Sequence, residues 1–151
     1  IRHCEVCNNL SDTPVCSVCA SEQRDRGMIC VVESIREVMS IEATLQYKGV
    51  YHVLGGIISP MQGIGPGDLA IDLLMQRAAD PNVKEIIIAL NTSMEGETTS
   101  FYLYKKLKSF PLMITSIARG IGFGDEIEHA DEITLGRSIR NRVNIEDSFG
   151  K

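Results

Sequence analysis

Apolar and polar positions along this chain follow two rhythms. Met28-Ile29-Cys30-Val31-Val32 is an unbroken apolar run, the pattern of a strand buried on both faces. Ser34 follows with Glu37 three residues on, a capping box, and Ile35, Val38, Met39 and Ile41 continue at helical spacing to about Leu45. Tyr51 to Leu54 reads as a second strand, closed by Gly55-Gly56. A loop dense in glycine and proline, Ser59 to Gly67, leads to Asp68, which is expected to cap a helix carrying Leu69, Ile71, Leu73, Leu74 and Arg77. Asp80-Pro81-Asn82 ends that helix, and Glu85 to Leu90 is the most apolar strand. A third helix is expected over Thr98 to Lys108, with Phe101, Leu103, Tyr104 and Leu107 on its buried side. A strand from Leu112 to Ala118 and a short one from Glu132 to Leu135 complete the pattern.

Strands alternating with helices of about three turns predict an α/β domain: a parallel sheet, helices on both faces and right-handed crossovers. Ligand sites in such sheets lie beyond the carboxyl ends of the strands. Those ends hold Glu33, Gly55 and Gly56, the segment Asn91 to Glu97, and Arg119 to Asp125.

Composition narrows the function classes. With 151 residues, 44% hydrophobic and 23% charged, the make-up is that of an ordinary globular protein. There is no tryptophan to stack on bases, and a net charge of -5 excludes a globally basic nucleic-acid coat. Apolar runs such as Ile86 to Leu90 fall far short of the ~20 residues of a membrane span. A cytoplasmic location is expected.

Residues 1–27 break the α/β rhythm. Their large apolar residues are few (Val6, Leu10, Val15, Val18), too few to fold alone. They carry Cys4, Cys7, Cys16 and Cys19, spaced C-x2-C-x8-C-x2-C. Each x2 pair curls as a knuckle and presents two thiolates to one ion, the pattern of tetrahedral zinc. Two disulfides are the alternative chemistry, but the rest of the chain reads as a cytosolic protein without further cysteine pairs. Four cysteines close the shell, so the zinc is expected to be structural, its binding supplying the free energy the segment lacks. Cys30, inside an apolar strand, reads as a small core hydrophobe.

Glu33 follows the first strand, and Glu95 and Glu97 follow the third as Glu95-Gly96-Glu97. Loops on one rim can bring such carboxylates together, oxygen ligands of the kind Mg2+ prefers. Acids near a helix start also have a reason that needs no metal, the positive end of the helix dipole. Gly96 between them points to a constrained turn rather than plain helix. Gly120-Ile121-Gly122-Phe123-Gly124 lacks the spacing of a dinucleotide loop, and the Asp125-Glu126 behind it repels phosphate, so it reads as a plain turn. Gly63-Ile64-Gly65-Pro66-Gly67 has the look of a helix-hairpin-helix turn but follows a strand, and reads as a loop shaping the rim.

In order along the chain stand the four-cysteine knuckles, a strand ending in Glu33, Tyr51-His52-Val53-Leu54-Gly55-Gly56, and Ile58-Ser59-Pro60-Met61-Gln62-Gly63-Ile64-Gly65-Pro66. Met94-Glu95-Gly96-Glu97-Thr98-Thr99, Ile117-Ala118-Arg119-Gly120 and Thr134-Leu135 follow. From Cys4 to Arg142 this combination closely resembles the RecR family of bacterial recombination mediators. The resemblance implies a zinc module over residues 1–27, a Toprim domain over 28–135 and a C-terminal tail over 136–151 available for subunit contact. It implies zinc ligands Cys4, Cys7, Cys16 and Cys19, and Toprim acidic, partner-binding positions Glu33, Glu95 and Glu97. It implies a non-enzymatic scaffold or clamp in DNA repair that acts with RecO and RecF to load RecA on SSB-coated single-stranded DNA. The intact protein is then a homo-oligomer, a dimer or ring tetramer, located in the cytoplasm and with the nucleoid during repair.

Four departures bear on that expectation. The chain starts at Ile1 and is expected to lack the family's amino-terminal helix-hairpin-helix segment, through which most DNA contact would run. Thr92 follows Asn91 where the family often has proline, and Arg119 stands where it often has histidine. Catalytic Toprim enzymes carry an Asp-x-Asp pair, and Glu95-Gly96-Glu97 replaces it here. The enzymatic alternative is a Mg2+-dependent Toprim nuclease or topoisomerase-like enzyme, yet no motif places Tyr47, Tyr51, Tyr102 or Tyr104 as its nucleophile. Residues 31–135 hold 8 basic and 14 acidic side chains, a surface suited to a basic protein partner. Residues 136–151 hold 4 basic and 2 acidic, so Arg137, Arg140 and Arg142 are candidate contacts to phosphates or to a neighbouring subunit.

Overall fold

The computed structural model describes residues 2–90, 93–116, 139 and 143–144. A small hairpin of β1 (Arg2–His3) and β2 (Leu10–Ser11) comes first, followed by the one-turn helix α1 (Ser17–Ala20). The α/β body then runs β3 (Asp25–Val32), α2 (Ile35–Ala43), β4 (Gly49–Val53), α3 (Ile71–Ala78), β5 (Glu85–Ile88), α4 (Met94–Leu107) and β6 (Met113–Ser116). The last strand, β7 (Val143–Asn144), pairs antiparallel with β6. The sheet order is β4-β3-β5-β6-β7, and its first four strands are parallel. The expected α/β architecture is therefore present. The proposed strand over Glu132 to Leu135 and the loop Gly120 to Gly124 lie outside the described residues.

Alternation along the strands builds two cores. Ile29, Val31, Val50, Leu54, Ile86 and Ile88 face α3 and α4, packing on Ile71, Leu74, Ala78, Leu103 and Leu107. Cys30, Val32, Tyr51, Val53, Ile87 and Ala89 face α2, packing on Val38 and Ile41. Cys30 is fully buried there, as a core residue.

Local chemistry sets the helix limits. Ser34 and Glu37 form the capping box of α2, with Glu37 accepting from the Ser34 backbone N–H at 2.9 Å. Asp68, expected to cap α3, caps a short 3-10 turn instead, accepting from Gly65 N–H at 2.9 Å. Beyond it Leu69 is extended, and Ala70 must return its N–H to Leu54 O at 3.1 Å before α3 can begin. Helix α4 starts four residues earlier than expected because Ser93 caps it, accepting from Gly96 N–H at 3.1 Å. The Glu95-Gly96-Glu97 run is thus plain helix, not a turn. Its buried stripe is Gly96, Thr99, Leu103 and Leu107. Phe101 falls two residues off that stripe and faces solvent, with the Lys105 ammonium 5.2 Å from its ring centre; Tyr104 is only half-buried.

Three polar groupings lie within this frame. Arg24 pairs with Glu42, which also accepts from the Tyr51 hydroxyl, so the entrance to β3, helix α2 and β4 meet at one carboxylate. Burial works to raise the Glu42 pKa, but the hydrogen bonds from Arg24 and Tyr51 outweigh it and hold it low. The Tyr47 hydroxyl donates to Val50 O at 2.7 Å and to Met28 O at 3.1 Å. Gly49 lies beneath that hydroxyl: a Cβ there would meet the Tyr47 oxygen and sit 2.7 Å from Met28 O. His52 is fully buried on the α3 side of β4, its Nε2 donating to Ala70 O at 2.7 Å and its Nδ1 3.0 Å from Arg77 Nη1.

Two outcomes follow. Gly49→Ala should lower unfolding free energy by about 2 kcal/mol in urea titration, since neither the Tyr47 ring nor the backbone can give way freely. Burial, with Arg77 adding a smaller push, lowers the His52 pKa to about 4, while its bond to Ala70 O acts in the opposite sense. The unfolded chain binds that proton near 6.5 and the folded chain does not, so stability should fall as pH drops from about 6.5 toward 4, by about 3 kcal/mol at most. Unfolding curves of His52→Gln across that window should have a shallower slope than the unsubstituted chain.

Candidate functional site

The four cysteines converge at the amino-terminal end of the chain. Their sulfurs all lie within 4.8 Å of one another, the one such metal-type group among the described residues. None is in a disulfide, and the 3.6 Å between Cys7 Sγ and Cys16 Sγ is far beyond an S–S bond. It is close to the ~3.8 Å edge of a tetrahedron with zinc–sulfur bonds. Asn8, in the left-handed region at φ 67°, closes the first knuckle, and Cys16 is the N-cap of α1, which carries Cys19. Backbone N–H groups point at the sulfurs: Val6 at 3.4 Å and Cys16 at 3.3 Å to Cys4 Sγ, and Cys19 at 3.5 Å to Cys16 Sγ.

These donors shape the chemistry. Burial raises the Cys4 pKa, but hydrogen bonds from Cys16, Cys7 and Val6 outweigh it and bring it down to about 6. Cys7 is pushed far up, first by its hydrogen bond with Cys19 and then by burial. Thiols packed this closely can all ionise only around a cation. The donor set, its spacing and its N–H···S bonds fit one tetrahedral soft dication with a closed shell. His3 takes no part in the group; its Nδ1 lies 3.2 Å from Asn8 O.

The module is docked on the outer edge of β4. Val53 N–H donates to Cys7 O at 2.7 Å, and the Asn8 side-chain amide donates to Val53 O at 3.0 Å. This covering satisfies the outer backbone of Val53, while Tyr47 covers Gly49, so the strand is buried along its length although it lies at the edge of the sheet. The module's own core is Cys4, Cys7 and Cys16, with Val6, Val18 and Cys19 packed against them.

The carboxylates occupy a different place. Strands β3 and β5 are neighbours, yet the chain leaves β3 toward α2 on one face and β5 toward α4 on the other. The crevice between their carboxyl ends is the topological switch point of the sheet. Glu33 follows β3 there, half-buried, with its carbonyl accepting from Gly55 N–H at 2.9 Å. Glu95 (half-buried) and Glu97 (exposed) lie in the first turn of α4. Glu33, Glu95 and Glu97 share this rim without closing into a group like that of the cysteines. The loop from Ile58 is tied to α4 by a bond from Ile58 N–H to Thr99 Oγ1 at 2.9 Å, and Met61 and Met94 stand exposed on the loop and at the helix start.

Comparison with known proteins agrees along the whole chain. A RecR Cys4-zinc finger domain matches residues 1–21, a Toprim domain residues 27–118 and a RecR C-terminal domain residues 120–143. Recombination protein RecR of Parabacteroides distasonis is 62% identical over 143 residues, covering 95% of this chain and 69% of the relative. The protein of the same name from Porphyromonas gingivalis is 59% identical over 148 residues, covering 98% and 72%. That from Flavobacterium johnsoniae is 56% identical over 149 residues, covering 99% and 72%.

The chain belongs to the RecR family. The zinc-finger match falls on the segment that holds the four converging sulfurs, and both support a structural zinc. The Toprim match spans the sheet from β3 to β6 and the rim carboxylates. Arg137, Arg140 and Arg142 lie outside the described residues. Sequence reasoning passed over Ser93, which sets where Glu95 and Glu97 sit, although a serine just before a segment with two acids is a readable cap signal. It also gave no role to Arg77 and His52; a histidine inside an otherwise apolar strand was the available hint. No helix among the described residues is long and apolar enough to cross a membrane.

Removal of the metal gives a direct check. A chelator of zinc affinity should broaden or shift the amide resonances of residues 2–20 and of Val53, whereas an unchanged spectrum would show that the cysteines fold without an ion. Because the thiols must lose protons to ligate, metal retention should weaken as pH falls.

Proposed function

We propose that Cys4, Cys7, Cys16 and Cys19 hold one structural zinc, and that the chain works as a non-catalytic scaffold whose acidic rim receives a partner protein. A role in recombination and repair follows from membership of the RecR family, whose members are mediators rather than enzymes. The finer reading is that RecO, and in another assembly RecF, engages Glu33, Glu95 and Glu97, and that the assembly loads RecA on SSB-coated single-stranded DNA. The observation that carries it is the placement of Glu95 and Glu97 on the first turn of α4 at the switch point, next to exposed Met94. Exposed acid next to exposed, adaptable thioether suits a basic, partly apolar protein surface. Among the described residues Glu33, Glu95 and Glu97 do not form the converging carboxylate group that two-metal phosphoryl chemistry uses.

On this reading the zinc holds the module on β4 and takes no part in chemistry, because four thiolates leave no open position. Arg137, Arg140 and Arg142 serve phosphates or a neighbouring subunit in a dimer or ring tetramer. Titration of RecO against the chain should show binding weakened by about tenfold or more in the Glu95→Ala, Glu97→Ala double variant, with zinc content unchanged. Equal binding by the double variant and the unsubstituted chain would remove the rim from the interface.

A further inference from the structure

Arg77 presents a charge problem that the sheet does not solve. Its Nη1 donates to Tyr51 O at 2.7 Å and lies 3.0 Å from His52 Nδ1, both neutral acceptors. Among the described residues no carboxylate stands within ion-pair distance of it; the ion pair found there joins Arg24 and Glu42. A half-buried guanidinium without an acid is uncommon, since buried charges are paired. Arg77 instead lines a cavity of about 190 Å³ between the cysteine module and the sheet, together with Cys19 and Val6. Arg26 and Asp80 line the same cavity, but Arg26 is turned to Ser21 O at 3.4 Å and Asp80 accepts from Asn82 N–H at 2.9 Å. Burial lowers the Arg77 pKa, and the charges of Cys19, Cys7, Cys4 and Tyr47 oppose that shift without reversing it.

We propose that Arg77 is the outer-shell counter-cation of the four-thiolate zinc centre and, through Tyr51 and His52, ties that centre to the sheet. The inference rests on the reading that the cysteines hold zinc. Four thiolates around Zn2+ carry a net charge of about -2, which costs free energy in a partly dry cleft unless a cation faces it. Arg77 supplies that cation from α3, an element of the body and not of the module. Its hydrogen bond to Tyr51 O stands two residues from Val53, where the module is pinned to β4. Its contact to His52 fixes the ring tautomer, Nδ1 accepting and Nε2 donating to Ala70 O. Ala70 ends the rim loop and precedes α3. The charge of the metal centre is thereby linked, through one side chain, to the edge strand and to the base of the loop that carries Met61.

The test is a competition for zinc between a chromogenic chelator and the full chain, unsubstituted or carrying Arg77→Met, Arg77→Gln or Arg77→Lys. Loading with Co2+ reports by its visible bands whether the four-sulfur geometry survives. The neutral variants should bind zinc about tenfold more weakly with cobalt bands unchanged, and Arg77→Lys should stay near the unsubstituted value. Equal zinc affinity in all four proteins would overturn the proposal. So would an equal loss in Arg77→Lys and the neutral variants, because the fork and not the charge would then matter. Folding of Arg77→Lys but of neither neutral variant, even in excess zinc, would also overturn it, by showing that the sheet needs the cation whatever the metal does. An unsubstituted chain that binds no zinc at all would instead remove the metal reading on which the inference stands.

Discussion

Two hydrogen bonds to a single residue, Val53, set the relation on which the molecule depends. Cys7 O and the Asn8 amide pair with its N–H and C=O, as a neighbouring strand would. Strand β4 would otherwise present its outer backbone to water or to another chain. The module that covers it has little to hold it together besides its cysteines, for Leu10 and Val15 are exposed and only Val18 reaches the cores of the body. Each part therefore completes the other: the body supplies an edge, and the metal-held knuckle supplies the cover.

The second organising constraint is topological. A parallel sheet in the order β4-β3-β5-β6 must send its connections to both faces, with α2 on one and α3 and α4 on the other. The crevice this opens lies between the carboxyl ends of β3 and β5; Glu33 follows β3 there, and the first turn of α4 carries Glu95 and Glu97. Ser93 turns the chain into α4 immediately after that crevice, so Glu95 and Glu97 meet the positive end of the helix. The acid rim thus stands at the carboxyl ends of the inner strands β3 and β5, and the metal module on the outer edge of β4.

Both parts were readable from residue patterns to different depths. The cysteine spacing announced the metal-type group because a knuckle is a local object, two ligands three residues apart on one tight turn. The strands were found because alternating burial needs no knowledge of the partner strand, and the Ser34–Glu37 box because both members lie within one turn. Limits set by distant contacts were missed. Asp68 had the right chemistry for a helix cap, but Leu54 claimed the next backbone donor and pushed the helix to Ile71. Phe101 had the right hydrophobicity for the core, but it stands two residues, about 200° of helix, from Thr99 and Leu103 on the buried stripe.

By itself the sequence determined the alternation of strands and helices, the ligand type and spacing of the metal-type group, and the acidity of the body. All of these are set by residue identity over a few positions. Only the tertiary structure decided that the module caps the edge of β4, that Glu33 and the first turn of α4 follow neighbouring strands, and that Arg77 lines one cavity with Cys19. Those relations join residues tens of positions apart, and no local preference encodes them; they exist because strand order and sheet faces bring the segments together.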